Sequence, residues 1–246
     1  MKVGVFLGGA GLHPLIVDGV EHVPEEMGVA TTTPWGDASC QPVHVGREQI
    51  ELIFMSRHGA QATLAPHQIN YRANVWLMRE LGVDALIGTH TVGGIDPDLA
   101  VGAYVLPHQL IDYTWGRPST YDDQRRHVEF GVPYDADLRQ TLLGLVPDIH
   151  DGGVYGVTQG PRLETAAEIG RMARDGCTLV GMTGMPEAGL ARELEIPYAS
   201  LCLIVNPAAG VGSDEIDVQE LRAASEAGAV TLTALFAGLL QSQSGG

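Results

Sequence analysis

The sequence predicts an α/β fold, a layered sheet flanked by helices, and three observations carry it. Short β-branched runs recur along the chain, stretches with helical periodicity separate them, and glycine-rich or polar turns close several of the runs. The 246 residues are 45% hydrophobic and hold neither an internal repeat nor a Pro/Ser linker. One domain spanning residues 1–246 is therefore expected, with enough chain to bury a full core. A mean hydropathy of +0.07 and the lack of homopolymeric tracts exclude low-complexity disorder.

In order, Val3–Leu7 reads as a buried strand that breaks at Gly8-Gly9-Ala10-Gly11, and Ile50–Met55 as a strand running into Ser56-Arg57-His58-Gly59. Ile69–Leu81 has helical spacing, with Val75, Met78 and Leu81 on or near one face. Ala85–Gly88 is a short strand leading into a predicted loop, Thr89-His90-Thr91-Val92-Gly93-Gly94. Val101–Leu106 reads as extended, Leu163–Asp175 as a helix and Leu179–Met182 as a strand. Glu187–Leu194 is a helix, Tyr198–Val205 a buried strand, and Asp217–Leu240 a long closing helix.

Lys and Arg number 14 against 30 Asp and Glu, a formal charge of −16. A dedicated nucleic-acid binder would carry a basic stripe, so nucleic acid is not an expected partner. A local anion site remains open, because a few convergent donors suffice for one. Cys40, Cys177 and Cys202 have no CxxC spacing, so neither a zinc site nor a disulfide framework is expected, and no metal is. The apolar stretch from Gly228 to Leu240 is 13 residues, too short to span a bilayer, and the N-terminus does not read as a signal peptide. A cytoplasmic protein without membrane association is expected.

In open α/β sheets ligands gather beyond the carboxyl ends of strands. The predicted ends carry Gly9-Ala10, Arg57-His58, His90-Thr91, Thr183 and Asn206. Arg57 offers a planar donor fork, His58 and His90 ring N–H groups, and Thr91 and Thr183 hydroxyls, a set suited to an oxyanion. Each piece alone has a plainer reading: Gly-Gly-x-Gly as a tight turn, a histidine near a strand end as a hydrogen-bonded structural residue. The Rossmann and Walker spacings are absent.

The pieces Gly8-Gly9-Ala10-Gly11-Leu12, Ser56-Arg57-His58-Gly59, Asn70-Tyr71-Arg72-Ala73-Asn74, Gln159-Gly160-Pro161-Arg162-Leu163-Glu164-Thr165 and Gly181-Met182-Thr183-Gly184-Met185-Pro186-Glu187 together resemble one family. It is the methylthioadenosine phosphorylase branch of the trimeric purine nucleoside phosphorylases. The likeness runs in order from the first strand to about Val205. It implies a phosphorylase-type mixed sheet flanked by helices, a homotrimer, and phosphorolysis of a purine nucleoside to free base and a sugar 1-phosphate. Inorganic phosphate is then a co-substrate, and no cofactor is implied.

Carried over by position, Ala10, Arg57, His58, His90, Thr91 and Thr183 would hold phosphate. Ala10 and His90 depart from the family, which commonly has small hydroxyl residues at both places. Leu163, Glu164, Met182, Asn206, Pro207, Ala208 and Ile216 would form the nucleoside site, joined by His127 from a neighbouring subunit. The chemical step falls to Arg57 and His58 on phosphate and to Asn206 on the departing base.

Adenine-specific members carry carboxylates at the positions matching Asn206 and Ala208, and neither is present. Glu164 matches the 6-oxopurine pattern, where a carboxylate accepts from N1–H. Its plain alternative is a carboxylate favouring a helix N-terminus, and asparagine can also read an adenine edge. Ile216 falls where the branch keeps an apolar residue against a methylthio group. The expected reaction is phosphorolysis of 5′-methylthioinosine to hypoxanthine and 5-methylthioribose 1-phosphate. Methylthioadenosine phosphorylase and general 6-oxopurine nucleoside phosphorylase are the nearest alternatives, then a hydrolytic nucleosidase or a non-catalytic purine-binding module.

Overall fold

A computed structural model describes residues 1–8, 15–17, 20–22, 29–43, 51–59, 63–116, 118–121, 125–145, 148–212 and 218–241, and the structural statements below concern these. In chain order the strands are β1 (Lys2–Leu7), β2 (Leu15–Val17), β3 (Val20–His22), β4 (Val29–Thr33), β5 (Gly36–Val43) and β6 (Glu51–Ser56). Helix α1 (Tyr71–Glu80) is followed by β7 (Ala85–Gly94), β8 (Tyr104–Leu106), β9 (Gln109–Asp112) and helix α2 (Ala136–Leu143). Then come β10 (His150–Asp151), β11 (Val154–Val157), α3 (Ala166–Arg174), β12 (Leu179–Gly181), α4 (Glu187–Glu193), β13 (Tyr198–Pro207) and α5 (Val218–Gln241).

The main sheet runs β10-β8-β13-β7-β1-β6-β5-β4, with β12 branching from β7 and leading through β11 to β9. Its centre is parallel: β1 pairs with β6 and β7, and β7 with β13. Strands covered on both faces read as continuous apolar runs, which is why these four were legible. Val3, Val5 and Leu7 face α2 and α5, packing with Leu138, Leu142, Leu235 and Phe236. Phe6 turns the other way, toward Val75, Leu77 and Met78 of α1 and Leu190 of α4. The alternation along β1 thus feeds two separate layers.

The fold class is the expected one, with one informative difference. Thr89–Gly94 was expected to be a loop, yet it completes β7, paired with β13 along its length. Gly93 and Gly94 are there for close packing. A methyl group on either would lie 3.3 Å from Val180 or Ile204. Elements without a clear signature are β4 and β5, built largely from Ala, Thr, Ser and Asp, and the four-residue β11. Among the described residues no helix is long and apolar enough to cross a membrane.

Candidate active site

The site sits where β7 changes neighbours. Its first half pairs with β1 as far as Phe6↔Gly88, and its last two residues pair with β12 in the antiparallel sense. Between those pairings, Thr89–Val92 have no strand partner on that edge among the described residues. Such a parting of strands creates a crevice in an open α/β sheet.

Arg57, directly after β6, caps the opened edge. Its Nη1 donates to the Thr89 carbonyl at 2.9 Å and its Nη2 reaches the Phe6 carbonyl at 3.5 Å. The same guanidinium grips Glu187 bidentately, Nε to Oε2 at 2.6 Å and Nη2 to Oε1 at 2.8 Å. Arg57 and Glu187 are each 1% exposed. Burial would lower the guanidinium pKa, but the Glu187 charge and hydrogen bonds outweigh it and hold the group protonated. Gly8 makes room for this cation, since a methyl group there would lie 2.0 Å from Nη1.

The pair continues into a buried polar chain. The Tyr198 hydroxyl donates to Glu187 Oε1 at 2.8 Å and lies 3.2 Å from His90 Nε2. Ser200 Oγ is 3.3 Å from the same Nε2, and His90 Nδ1 is 2.8 Å from Thr183 Oγ1. His90 is fully buried, and burial, reinforced by the positive charge of Arg57 and by His58, holds its pKa well below the ordinary value, so the ring is neutral.

In front of this chain lies a cavity of about 270 Å³ lined by His58, Thr91, Glu164, Met182, Thr183, Asn206 and Ala208, among others. It is close to the lower bound of roughly 300 Å³ for small-molecule sites. His58 Nδ1 lies 2.7 Å from the Leu64 carbonyl, which only accepts, so Nδ1 carries the proton and Nε2 is the free ring atom. Burial, with the Arg57 charge adding and the Leu64 hydrogen bond opposing, lowers the His58 pKa.

Glu164 and Asn206 line the same cavity. Thr158 Oγ1 donates to Glu164 Oε1 at 2.5 Å, leaving Oε2 available. Helix α3 begins later than the sequence suggested: Thr165 is its N-cap and Glu168 completes a capping box. Glu164 therefore precedes the helix, and the helix-end role belongs to Glu168. Asn206 follows a register shift between Ile204 and Asn206 in β13, a bulge that redirects side chains beside a site. Its Nδ2 donates one hydrogen to the Pro207 carbonyl at 2.6 Å. One N–H and Oδ1 stay open to a ligand.

Of the residues expected from sequence, the cavity gathers His58, Thr91, Leu163, Glu164, Met182, Thr183, Asn206 and Ala208. Arg57 and His90 lie behind it in the buried chain, and Pro207 and His127 are exposed and do not line it. Ala10 and Ile216 lie outside the described residues. Sequence reasoning assigned no role to Glu187, Tyr198, Ser200 or Thr158. Glu187 had a signal, a carboxylate closing the Gly-Met-Thr-Gly-Met-Pro-Glu piece. The other three sit in or beside strands without local punctuation. Among the described residues, no group of three or more His, Cys, Asp or Glu side chains is arranged to hold a metal.

Residues 15–241 match the model of the phosphorylase superfamily. The chain is 43% identical over 251 residues to a probable S-methyl-5′-thioinosine phosphorylase of Pseudomonas syringae, covering 98% of this chain and 99% of that one. It is 44% identical to an S-methyl-5′-thioadenosine phosphorylase of Mycobacterium tuberculosis over 76% of this chain and 71% of the other. A methylthioadenosine phosphorylase from Schistosoma mansoni, solved with adenine, superposes with a TM-score of 0.86 at 23% identity, covering 100% of this chain and 93% of that chain, and so shares the fold. By the match over residues 15–241 and the 43% identity across nearly its whole length, this chain belongs to the phosphorylase superfamily.

Proposed function

We propose that the protein catalyses phosphorolysis of 5′-methylthioinosine, giving hypoxanthine and 5-methylthioribose 1-phosphate. One observation carries the reading: a single cavity holds the hydroxyl donors Thr91 and Thr183 and the ring of His58 together with two groups suited to reading a base, Glu164 and Asn206. Thr91 and Thr183 donate to phosphate, with the buried Arg57–Glu187 ion pair behind them. His58 Nε2 faces the anion as an acceptor while the ring is neutral and as a donor when it is protonated.

Phosphate is already a nucleophile, so no carboxylate pair is needed to activate water as in glycoside hydrolysis. An oxygen of monohydrogen phosphate bonds to the anomeric carbon as the bond from that carbon to N9 breaks. The sugar passes through a cationic state that the phosphate charge stabilises, and the remaining task is positioning and leaving-group assistance. The phosphate proton ends on the released base. Asn206 donates to O6 and accepts from N7–H, and Glu164 accepts from N1–H. Adenine has a bare N1 in that position, and a buried polar group left unpaired costs about 1–3 kcal/mol.

The Mycobacterium tuberculosis relative favours methylthioadenosine as the second reading. Measuring kcat/KM at saturating phosphate for methylthioinosine, methylthioadenosine and inosine decides among them. Methylthioinosine is expected to lead, and a lead for methylthioadenosine overturns the base assignment. We further propose a cytoplasmic homotrimer built from one phosphorylase domain per chain, needing no cofactor. Exposed His127, Trp115 and Leu163 are the surfaces a neighbour would cover, with His127 entering its 5′ pocket. Sedimentation analysis tests this: a monomer with full activity contradicts it.

A further inference from the structure

His90 was expected to touch phosphate, but the imidazole is fully buried and the cavity wall in front of it includes Thr183. Its plane is fixed. The ring meets Tyr155 edge-on, with centroids 5.5 Å apart at 61°, and Gly88 has no side chain to intrude. A methyl group at Gly88 would lie 2.2 Å from the Tyr198 hydroxyl, 2.7 Å from Glu187 Oε1 and 2.7 Å from His90 Nε2. Each ring nitrogen has its own partner, Nδ1 the Thr183 hydroxyl and Nε2 the hydroxyls of Ser200 and Tyr198.

The direction of the proton between His90 and Thr183 follows from what Thr183 must do. A hydroxyl has one proton. If it went to Nδ1, Thr183 would face an anion with lone pairs. With the proton on Nδ1, the ring donates to Thr183 Oγ1, and the threonine proton is free for the anion. That tautomer needs a donor at Nε2. Tyr198 commits its proton to Glu187, so Ser200 supplies it, lying 3.3 Å from Nε2 and 3.5 Å from its other acceptor, the Tyr198 hydroxyl. We propose that His90 is a positioning residue of the phosphate site: held in the Nδ1–H form by Ser200, it turns the Thr183 hydroxyl outward as a donor to phosphate.

The inference rests on the phosphorolysis reading, and it implies that Ser200, which does not line the cavity, tunes phosphate affinity through two relayed hydrogen bonds. Calorimetric titration of the wild type with inorganic phosphate comes first. Failure of phosphate to bind overturns the phosphorolysis reading itself. Given binding, His90→Leu is expected to weaken phosphate by roughly tenfold or more, the worth of one hydrogen bond to a charged group. The KM for methylthioinosine is expected to stay within about twofold. His90→Asn, whose side-chain N–H can replace Nδ1–H, should recover most of the loss, and Ser200→Ala should show a smaller loss confined to phosphate. Because His90 acts through Thr183, the double variant His90→Leu/Thr183→Val should bind phosphate no worse than Thr183→Val alone. Additive losses in that cycle, or equal losses for nucleoside and phosphate, overturn the proposal. If His90→Leu does not fold, His90→Asn and Ser200→Ala carry the test, and unchanged phosphate affinity in Ser200→Ala rejects it.

Discussion

Two ends of one cavity are built differently. Behind Thr183 stands a continuous buried chain of His90, Ser200, Tyr198, Glu187 and Arg57, linked by hydrogen bonds and an ion pair with both partners 1% exposed. Glu164 and Asn206 are instead half-buried, one steadied by Thr158 and the other by the carbonyl of Pro207. The first arrangement ties Thr183 to the packing of the sheet through the Arg57 bonds to the Thr89 and Phe6 carbonyls. The second leaves Glu164 and Asn206, to which we assign base reading, free to change at small structural cost, so on that proposal base specificity can diverge there within one fold.

The largest effect is expected at the anion end. Glu187→Ala strands a buried guanidinium, and losing one partner of such a pair costs about 3–5 kcal/mol. Urea unfolding measures it. Glu164→Ala in the same assay should cost only about 1 kcal/mol, the worth of one ordinary hydrogen bond. Equal costs would erase the contrast. Next in size, Gly88→Ala drives a methyl group into Tyr198, Glu187 and His90. Overpacking of this kind costs about 1–3 kcal/mol, and weaker phosphate binding should accompany it.

Activity sharpens the comparison from the other side. Glu164→Ala should lower kcat/KM for methylthioinosine by about 2 kcal/mol or less. Adding carboxylates through Asn206→Asp and Ala208→Asp, with Glu164→Ser, should move preference toward methylthioadenosine. An unchanged ratio between the two nucleosides rejects the roles given to both residues.

The smallest expected effect is on pH. Burial, with the Arg57 charge, holds His90 and His58 below the ordinary histidine value of about 6.5. Below that pH the unfolded chain binds protons that the folded chain does not, so stability falls as pH falls and is retained above it. Urea midpoints at pH 7.5 and 5 test the sign, and His90→Asn should reduce the slope. A midpoint that rises on acidification contradicts it.

How much was legible in the sequence follows the same division. The four central strands announce themselves as apolar runs because helices cover both faces, and of the cavity-lining residues His58 follows the run that becomes β6, while Asn206 sits at the end of β13. What escaped reading depends on partners distant in sequence. Thr89–Gly94 looks like a loop because its glycines suit a turn, yet β13 pairs with it throughout and the glycines admit Val180 and Ile204. Arg57 was read as a bare anion donor because Glu187, 130 residues away, cannot be paired with it by spacing. His90 likewise reads as a ligand until the threonine in front of it, 93 residues on, is seen. The 5′ side keeps its expectation, since Ile216 lies outside the described residues.

The central claim is that phosphate is the nucleophile in a site that His58, Thr91 and Thr183 prepare for it. Its most direct test follows methylthioinosine cleavage by wild-type protein as phosphate is raised from zero. The account predicts a saturable rate that extrapolates to zero without phosphate, with 5-methylthioribose 1-phosphate formed one for one with hypoxanthine. A rate unchanged when phosphate is omitted, yielding free methylthioribose, would contradict it.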